Sequence, residues 1–276
     1  MSFLLQPLTY EFMQRGLLAS VIVGVLCAIM GTYVVLRGMA FLGDAMAHAI
    51  LPGIAIAYLL NGNLLVGALV AAIIIALSIG YFSKQGAIKE DTAIGILFAA
   101  ALALGVALIS TIQTYAVDLS HILFGNVLGV SSADLWLTAG LGLSILLTVI
   151  LLYKPFLIIS FDPVLAATLR LPAELLRNLM LILLALTVVV SLQTVGVGLA
   201  AAMLVTPAAT AYLLTRRLAP MMAVSAALGA LSSIIGLYVS YYLNIVSGSA
   251  IVLTATTFFL LAFSWKRLKS LHRKRR

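Results

Sequence analysis

The sequence predicts an all-α, polytopic membrane protein with about nine transmembrane helices (eight to nine). Three observations carry this. Of 276 residues, 64% are hydrophobic and only 9% are charged, against ~45–50% apolar and ~25% charged in soluble domains. Mean hydropathy is +1.22. The apolar residues fall in runs long enough to cross a bilayer as helix, which takes ~20 residues. So few charges cannot cover a water-facing surface, which excludes an ordinary soluble enzyme. No soluble domain stands out, and residues 1–276 read as one transmembrane domain with a basic tail at 265–276.

The first apolar run, 16–36, is full length, ends in an arginine and has no small-residue cleavage site. It reads as a span and not as a signal peptide. Its Cys27 is the only cysteine in the chain, so it forms no internal disulfide and reads as a small packing residue. The second run, 46–60, is short and carries Pro52 and Gly53. Runs at 64–82, 92–112 and 133–153 follow. The pair around 176–214 is joined only by Gln193-Thr194-Val195-Gly196, and 219–240 and 249–264 complete the set. Short segments interrupted by Gly or Pro at membrane depth are where transporters break helices around a pathway. Eight spans with one re-entrant segment are the alternative to nine.

The net charge of +8 has a location: seven of the 16 Lys and Arg lie in the last eleven residues. Directly after an apolar run, such a tail reads better as a cytoplasmic anchor against anionic lipid than as a nucleic-acid contact. With the tail inside and nine spans, Arg37, Lys84, Lys89, the stretch 154–177, Arg216 and Arg217 all fall inside. The outer loops 61–63, 113–132 and 241–248 contain no Lys or Arg; Arg15, on an outer N-terminus, is the exception. In the inner loop 154–174, Asp162 and Pro163 form an N-cap and first-turn proline. They open a short helix that stops before Pro172. It suits an interfacial anchor or a docking element, and pattern alone leaves both open.

Seven of the eight acids fall in loops: Glu11, Asp118 and Asp134 outside, Glu90, Asp91, Asp162 and Glu174 inside. The eighth, Asp44, lies at the mouth of the second span or within it, and His48 follows four residues later on the same helical face. A carboxylate and an imidazole together suit a divalent transition metal such as Mn²⁺, Fe²⁺ or Zn²⁺. The plainer reading makes Asp44 a helix cap after Gly43 and His48 a satisfied buried polar group. Ionisable groups at membrane depth are costly and usually functional, so the two readings balance. Two ligands are too few for a closed site, and a homodimer axis would supply four. In KEDTAIGI, Asp91 is expected to cap a helix whose dipole Glu90 complements. His121 and His272 read as lone solvated histidines. The chain has no G-x-x-x-x-G-K-[ST] phosphate loop, no G-x-S-x-G, no H-E-x-x-H and no CxxC. It also lacks the acid/base residues of a membrane enzyme. Active transport would therefore draw on a second chain or an ion gradient.

VVLRGMAFLGDAMAHAILPGIA, IKEDTAIGILF, LFGNVLGVSSAD, SFDPVLAATLRLP, TVGVGLAAAMLVTPAATAYLL and SYYLNIVSGSAIVL, in that order, resemble the permease subunits of ATP-binding-cassette importers for manganese, zinc and iron. The resemblance implies a type II importer-like fold in a bacterial cell (inner) membrane, and a non-catalytic homodimer with no cofactor bound in this chain. It also implies a cytoplasmic ATP-binding subunit that uses the ATP, and an extracytoplasmic metal-binding protein. By the same resemblance Asp44 and His48 lie on the metal path. Phe161, Asp162, Pro163 and Leu171 belong to the ATPase-coupling loop, and Gly196 and Pro207 to the gating region. Membrane lipids, and no nucleic acid, complete the expected partners. The chain departs from many relatives at Val246-Ser247-Gly248, where they read Pro-Thr-Gly, and at His121, often aromatic. The expected cargo is Mn²⁺, then Zn²⁺, then Fe²⁺. A proton-coupled secondary transporter with Asp44 and His48 as a relay is the alternative.

Overall fold

The computed structural model describes residues 6–84, 88–111, 127–161 and 163–274. Among them it has twelve α-helices, short 3₁₀ turns at Pro7–Thr9 and Val127–Gly129, and no strand. The helices are α1 (Glu11–Leu36), α2 (Leu42–Ala49), α3 (Leu51–Leu59), α4 (Leu64–Lys84), α5 (Glu90–Ser110) and α6 (Ser132–Leu151). They continue with α7 (Tyr153–Phe161), α8 (Pro163–Thr168), α9 (Ala173–Val195), α10 (Val197–Leu214), α11 (Leu218–Leu243) and α12 (Ser247–Lys274). Over its described residues each of the nine apolar runs is helical, the second in two pieces.

Eight elements are long and apolar enough to cross a membrane, counting Leu42–Leu59 as one; the ninth run gives only the shorter Gly198–Leu214. That short helix nevertheless joins the two ends of the bundle. Its start lies beside the start of α12, Leu199 against Gly248, and its end lines a cavity with Leu36, Leu218 and Lys266. Eighteen helical residues span about 27 Å, close to the ~30 Å hydrocarbon core. Among the described residues eight elements have the length of a span, and α10 runs between the same two ends of the bundle.

Those ends differ in charge. At one, Arg37 pairs with Glu90, Lys84 with Glu174, and Arg216, Arg217, Lys266 and Lys269 share a cavity wall. At the other, Gly16 packs against Val127, far from those cations in the fold. By the excess of Lys and Arg the first is the cytoplasmic, inner end.

Small residues hold the helices together where no hydrophobic effect can, since lipid is as apolar as Leu. A Cβ on Gly24 would stand 2.9 Å from the Gly229 carbonyl of α11. Across the same contact Ser233 donates to the Ser20 carbonyl at 2.9 Å and Ser225 to the Ala28 carbonyl at 2.7 Å. Gly31 meets the α10 backbone at Leu204, and Gly53 meets Gly67 between α3 and α4. This makes α1 the central helix, against α9, α10 and α11. Outward-facing stripes are large and apolar instead, as at Val66, Val70, Ile74 and Leu77 of α4 and Leu143, Leu147 and Ile150 of α6. That is the surface a lipid-facing helix requires.

Four helices stop in the same way. Gly38, Asn61, Arg170 and Asn244 take left-handed φ values of 69°, 51°, 52° and 53°. The next residue's N–H turns back onto the helix, for example Met39 to Val34 at 3.0 Å and Leu171 to Ala166 at 3.0 Å. This is the Schellman closure, which satisfies carbonyls the helix leaves open.

Candidate functional site

Asp44 and His48 lie in α2, the first half of a span that breaks at Ile50. Pro52, in the first turn of α3, has no N–H to return to the carbonyl of His48 four residues earlier. The span therefore splits into two short helices, and the pair sits inside a membrane-length element. Leu42, Ala45, Met46, Ala47 and Ala49 are buried, while Asp44 and His48 share a face that keeps 48% and 28% of their side chains accessible.

His48 Nε2 stands 3.8 Å from Asp44 Oδ1, too long for a hydrogen bond. Two ligand atoms held ~2.1 Å from one ion stand roughly 3–4 Å apart, so the spacing is that of a chelating pair. The Phe98 ring of α5 lies 6.0 Å from the His48 ring and packs edge-on to Phe41 at 5.4 Å, walling one side.

The plainer reading of these residues fails on two counts. Position N-cap of α2 is Phe41, no side chain caps the helix, and Asp44 lies within the first turn. No hydrogen bond reaches the His48 ring among the described residues, where its polar neighbour is Asp44. The carboxylate in the first turn does complement the helix dipole. Among the described residues no group of three or more His, Cys, Asp or Glu is assembled. At this point the chain presents one carboxylate and one imidazole.

The expected cap at Asp91 is also absent. Lys89 is the N-cap residue of α5 and makes no side-chain cap bond. Glu90 instead reaches across to the end of α1, where its Oε2 accepts from Arg37 Nη2 at 2.8 Å, with only 13% and 19% of the two side chains accessible. Burial pushes the Arg37 guanidinium pKa down, Glu90 opposes that, and nearby Arg177 adds to the lowering. Arg177 Nη2 donates to the Gly80 carbonyl at 2.7 Å, tying α9 to α4. Sequence reasoning missed this knot of α1, α4, α5 and α9. Its one signal was the fall of Arg37, Glu90 and Arg177 at the inner ends of three different spans.

Of the residues expected in the coupling loop, Phe161 ends α7 and is 59% exposed, Pro163 opens α8, and Leu171 follows the left-handed Arg170. Asp162 lies outside the described residues, so its expected capping role does too. Val164, Leu165 and Leu169 are exposed, giving this inner-end helix an uncovered apolar face. Gly196 is the single residue between α9 and α10, at φ 84°, ψ 168°, a region essentially confined to glycine. Pro207 lies inside α10 and leaves the Met203 carbonyl without its helical donor. Cys27 is buried, 3.1 Å from the Ser191 hydroxyl. His121 lies outside the described residues.

The profile of the ABC 3 transport family matches residues 9–266. The chain belongs to that family. The manganese transport system membrane protein MntC of Halalkalibacterium halodurans is 50% identical, over 94% of this chain and 88% of its own length. The chelated iron transport system membrane protein YfeD of Yersinia pestis is 40% identical, over 97% and 90%. Among solved structures, PsaBC from Streptococcus pneumoniae in complex with Fab superposes with a TM-score of 0.83 at 41% identity, over 95% of this chain and 94% of the other. This ABC 3 chain is accordingly a multi-pass permease of a metal importer, a transport component and not a catalyst.

Proposed function

We propose that this permease carries Mn²⁺ across the cell membrane, and that Asp44 and His48 are the side chains that hold the ion on its way. The carrying observation is the 3.8 Å carboxylate–imidazole pair, which makes no side-chain hydrogen bond among the described residues and caps no helix, inside a span broken at Pro52. A pair kept for packing would be satisfied; one kept for a passing cation stays open. Oxygen and nitrogen donors without thiolate suit Mn²⁺ and Fe²⁺ as well as Zn²⁺. Because affinity order alone favours zinc over manganese, selectivity belongs to site geometry or to the protein that delivers the ion. The manganese-transporting relative at 50% identity supports Mn²⁺, and the iron-transporting relative at 40% makes Fe²⁺ the second reading.

Two copies of the chain would complete the coordination sphere, four side-chain ligands in place of two. The energy comes from a cytoplasmic ATP-binding subunit seated on the 161–171 segment, whose exposed Phe161, Val164, Leu165 and Leu169 offer it an apolar face. An extracytoplasmic metal-binding protein delivers the ion at the other end. Gly196, where the backbone leaves helical φ/ψ between α9 and α10, and Pro207, which has no N–H to donate within α10, are the moving joint of the gate. The whole chain acts as one transmembrane domain with its basic tail in the cytoplasm. Metal accumulation in a strain lacking this gene, under manganese, iron and zinc limitation in turn, tests the cargo. The expected deficit is in manganese; a deficit in zinc alone overturns the assignment.

A further inference from the structure

At the inner end, a cavity of about 770 Å³ opens between the ends of α1, α7 and α10 and the adjoining turns of α11 and α12. Its volume falls within the ~300–1,000 Å³ of small-ligand sites. Two chemistries line it. One wall is apolar, with Leu36, Leu213, Leu218 and Met221 among its residues; the other carries Arg216, Arg217, Lys266 and Lys269. Among the described residues no carboxylate lines the cavity, and none of the four cations forms an ion pair.

The depth of this arrangement identifies its ligand. Leu36 and Leu214 are the last residues of their helices and Leu218 the first of its own, so the apolar wall is at the edge of the hydrocarbon. Arg216 and Arg217 lie in the turn between those helix ends, and Lys266 and Lys269 lie in the last turns of α12. Trp265, directly before Lys266, is 69% exposed, as aromatic residues of the interfacial belt are. A cation-only rim would attract any anion, including an acidic protein surface. Phe161, which also lines the cavity, belongs to the segment proposed for the ATPase subunit, but the apolar wall of Leu36, Leu213, Leu218 and Met221 beneath the cations suits the upper acyl region of an amphiphile.

We propose that this cavity is a binding site for an anionic phospholipid of the inner leaflet, its phosphate on Arg216, Arg217, Lys266 and Lys269 and its glycerol and upper acyl chains against Leu36, Leu218 and Met221. The site pins the C-terminal end of α12 to the α10–α11 turn. It is distinct from the diffuse attraction of the tail beyond it, and it stands or falls independently of the metal assignment.

Purified full-length permease in a neutral detergent tests this by thermal unfolding during titration with phosphatidylglycerol, phosphatidylcholine, glycerol 3-phosphate or inorganic phosphate. Phosphatidylglycerol alone is expected to bind saturably and raise the unfolding temperature. At ~1 kcal/mol per surface cation, Arg216→Gln/Lys266→Gln is expected to weaken that binding about thirtyfold. Neutralising Arg273, Lys274, Arg275 and Arg276 to Gln is expected to leave it within about twofold. Equal stabilisation by phosphatidylcholine or by inorganic phosphate overturns the proposal, as does an equal loss in the tail variant. A quadruple Gln variant of the cavity cations that binds phosphatidylglycerol normally but no longer holds its ATPase subunit also overturns it, and assigns the cations to an acidic protein surface.

Discussion

Removing either half of the Arg37–Glu90 pair strands the other in a place water barely reaches. Breaking a fully buried ion pair costs ~3–5 kcal/mol because one charge is left uncompensated, whereas replacing both partners by apolar residues is often neutral. Here 13% and 19% of the two side chains remain accessible, so the stranded charge keeps some hydration and the expected loss is about 2–3 kcal/mol. Glu90→Gln is the milder test, since the amide still accepts from Arg37; Glu90→Leu and Arg37→Leu are the full ones. The knot also includes Arg177, which gains an uncompensated neighbour when Glu90 is removed and loses one when Arg37 is. Glu90→Leu is therefore expected to be the worse of the two. At about 2–4 °C per kcal/mol for larger domains, each Leu variant should unfold about 5–10 °C below the parent in a detergent thermal-shift assay. Arg37→Leu/Glu90→Leu should recover more than half of that loss, a coupling of more than ~1 kcal/mol in the double-mutant cycle. Single variants within 2 °C of the parent (about the assay's spread), or losses that simply add in the double variant, would refute the claim that these two charges support each other.

Three further outcomes follow from the same reasoning. Gly229→Val drives a side chain into the α1 backbone at Gly24; overpacking of this kind costs ~1–3 kcal/mol, and yield of folded permease from membranes should fall while Gly140→Val, in open space, leaves it unchanged. Gly196→Ala forces a side chain into a glycine-only region at a cost of ~1–3 kcal/mol, and should slow transport in vesicles by more than tenfold with the ATPase subunit still bound. Prolines at Ala166 and Ala167, in a helix whose Ala166 carbonyl closes its C-terminus, should uncouple ATP hydrolysis from transport without changing capture of the external metal-binding protein; retained coupling shifts the contact to 83–92.

Much of this architecture was legible because a membrane imposes a coarse code. Over their described residues all nine apolar runs are helical, and Pro52, Gly196 and the basic residues mark a break, a joint and an end. The span count was harder for a physical reason: α10 is short for a span, and only its neighbours show that it runs from one end of the bundle to the other. The cap expected at Asp91 is absent, and Glu90, in the first turn as expected, has a further partner that the short-range rules of helix ends do not reveal. The Arg37–Glu90 contact joins residues 53 apart in sequence. At Asp44 the pattern left capping and ligation balanced, and the structure removes the cap, Phe41 being the N-cap residue. Tight helix contacts such as Gly24 on Gly229 were invisible for the same reason: a glycine in an apolar run carries no sign of which partner it admits.

The central claim, a manganese path through Asp44 and His48, is tested most directly by ATP-driven ⁵⁴Mn²⁺ uptake. The complete importer is reconstituted into vesicles with the parent permease, Asp44→Asn or His48→Ala. The account predicts uptake that requires ATP, survives collapse of the proton gradient, and falls at least a hundredfold in each variant while the variants still assemble with their ATPase subunit. Uptake that proceeds without ATP but stops with the proton gradient, or that persists in both variants, would contradict it.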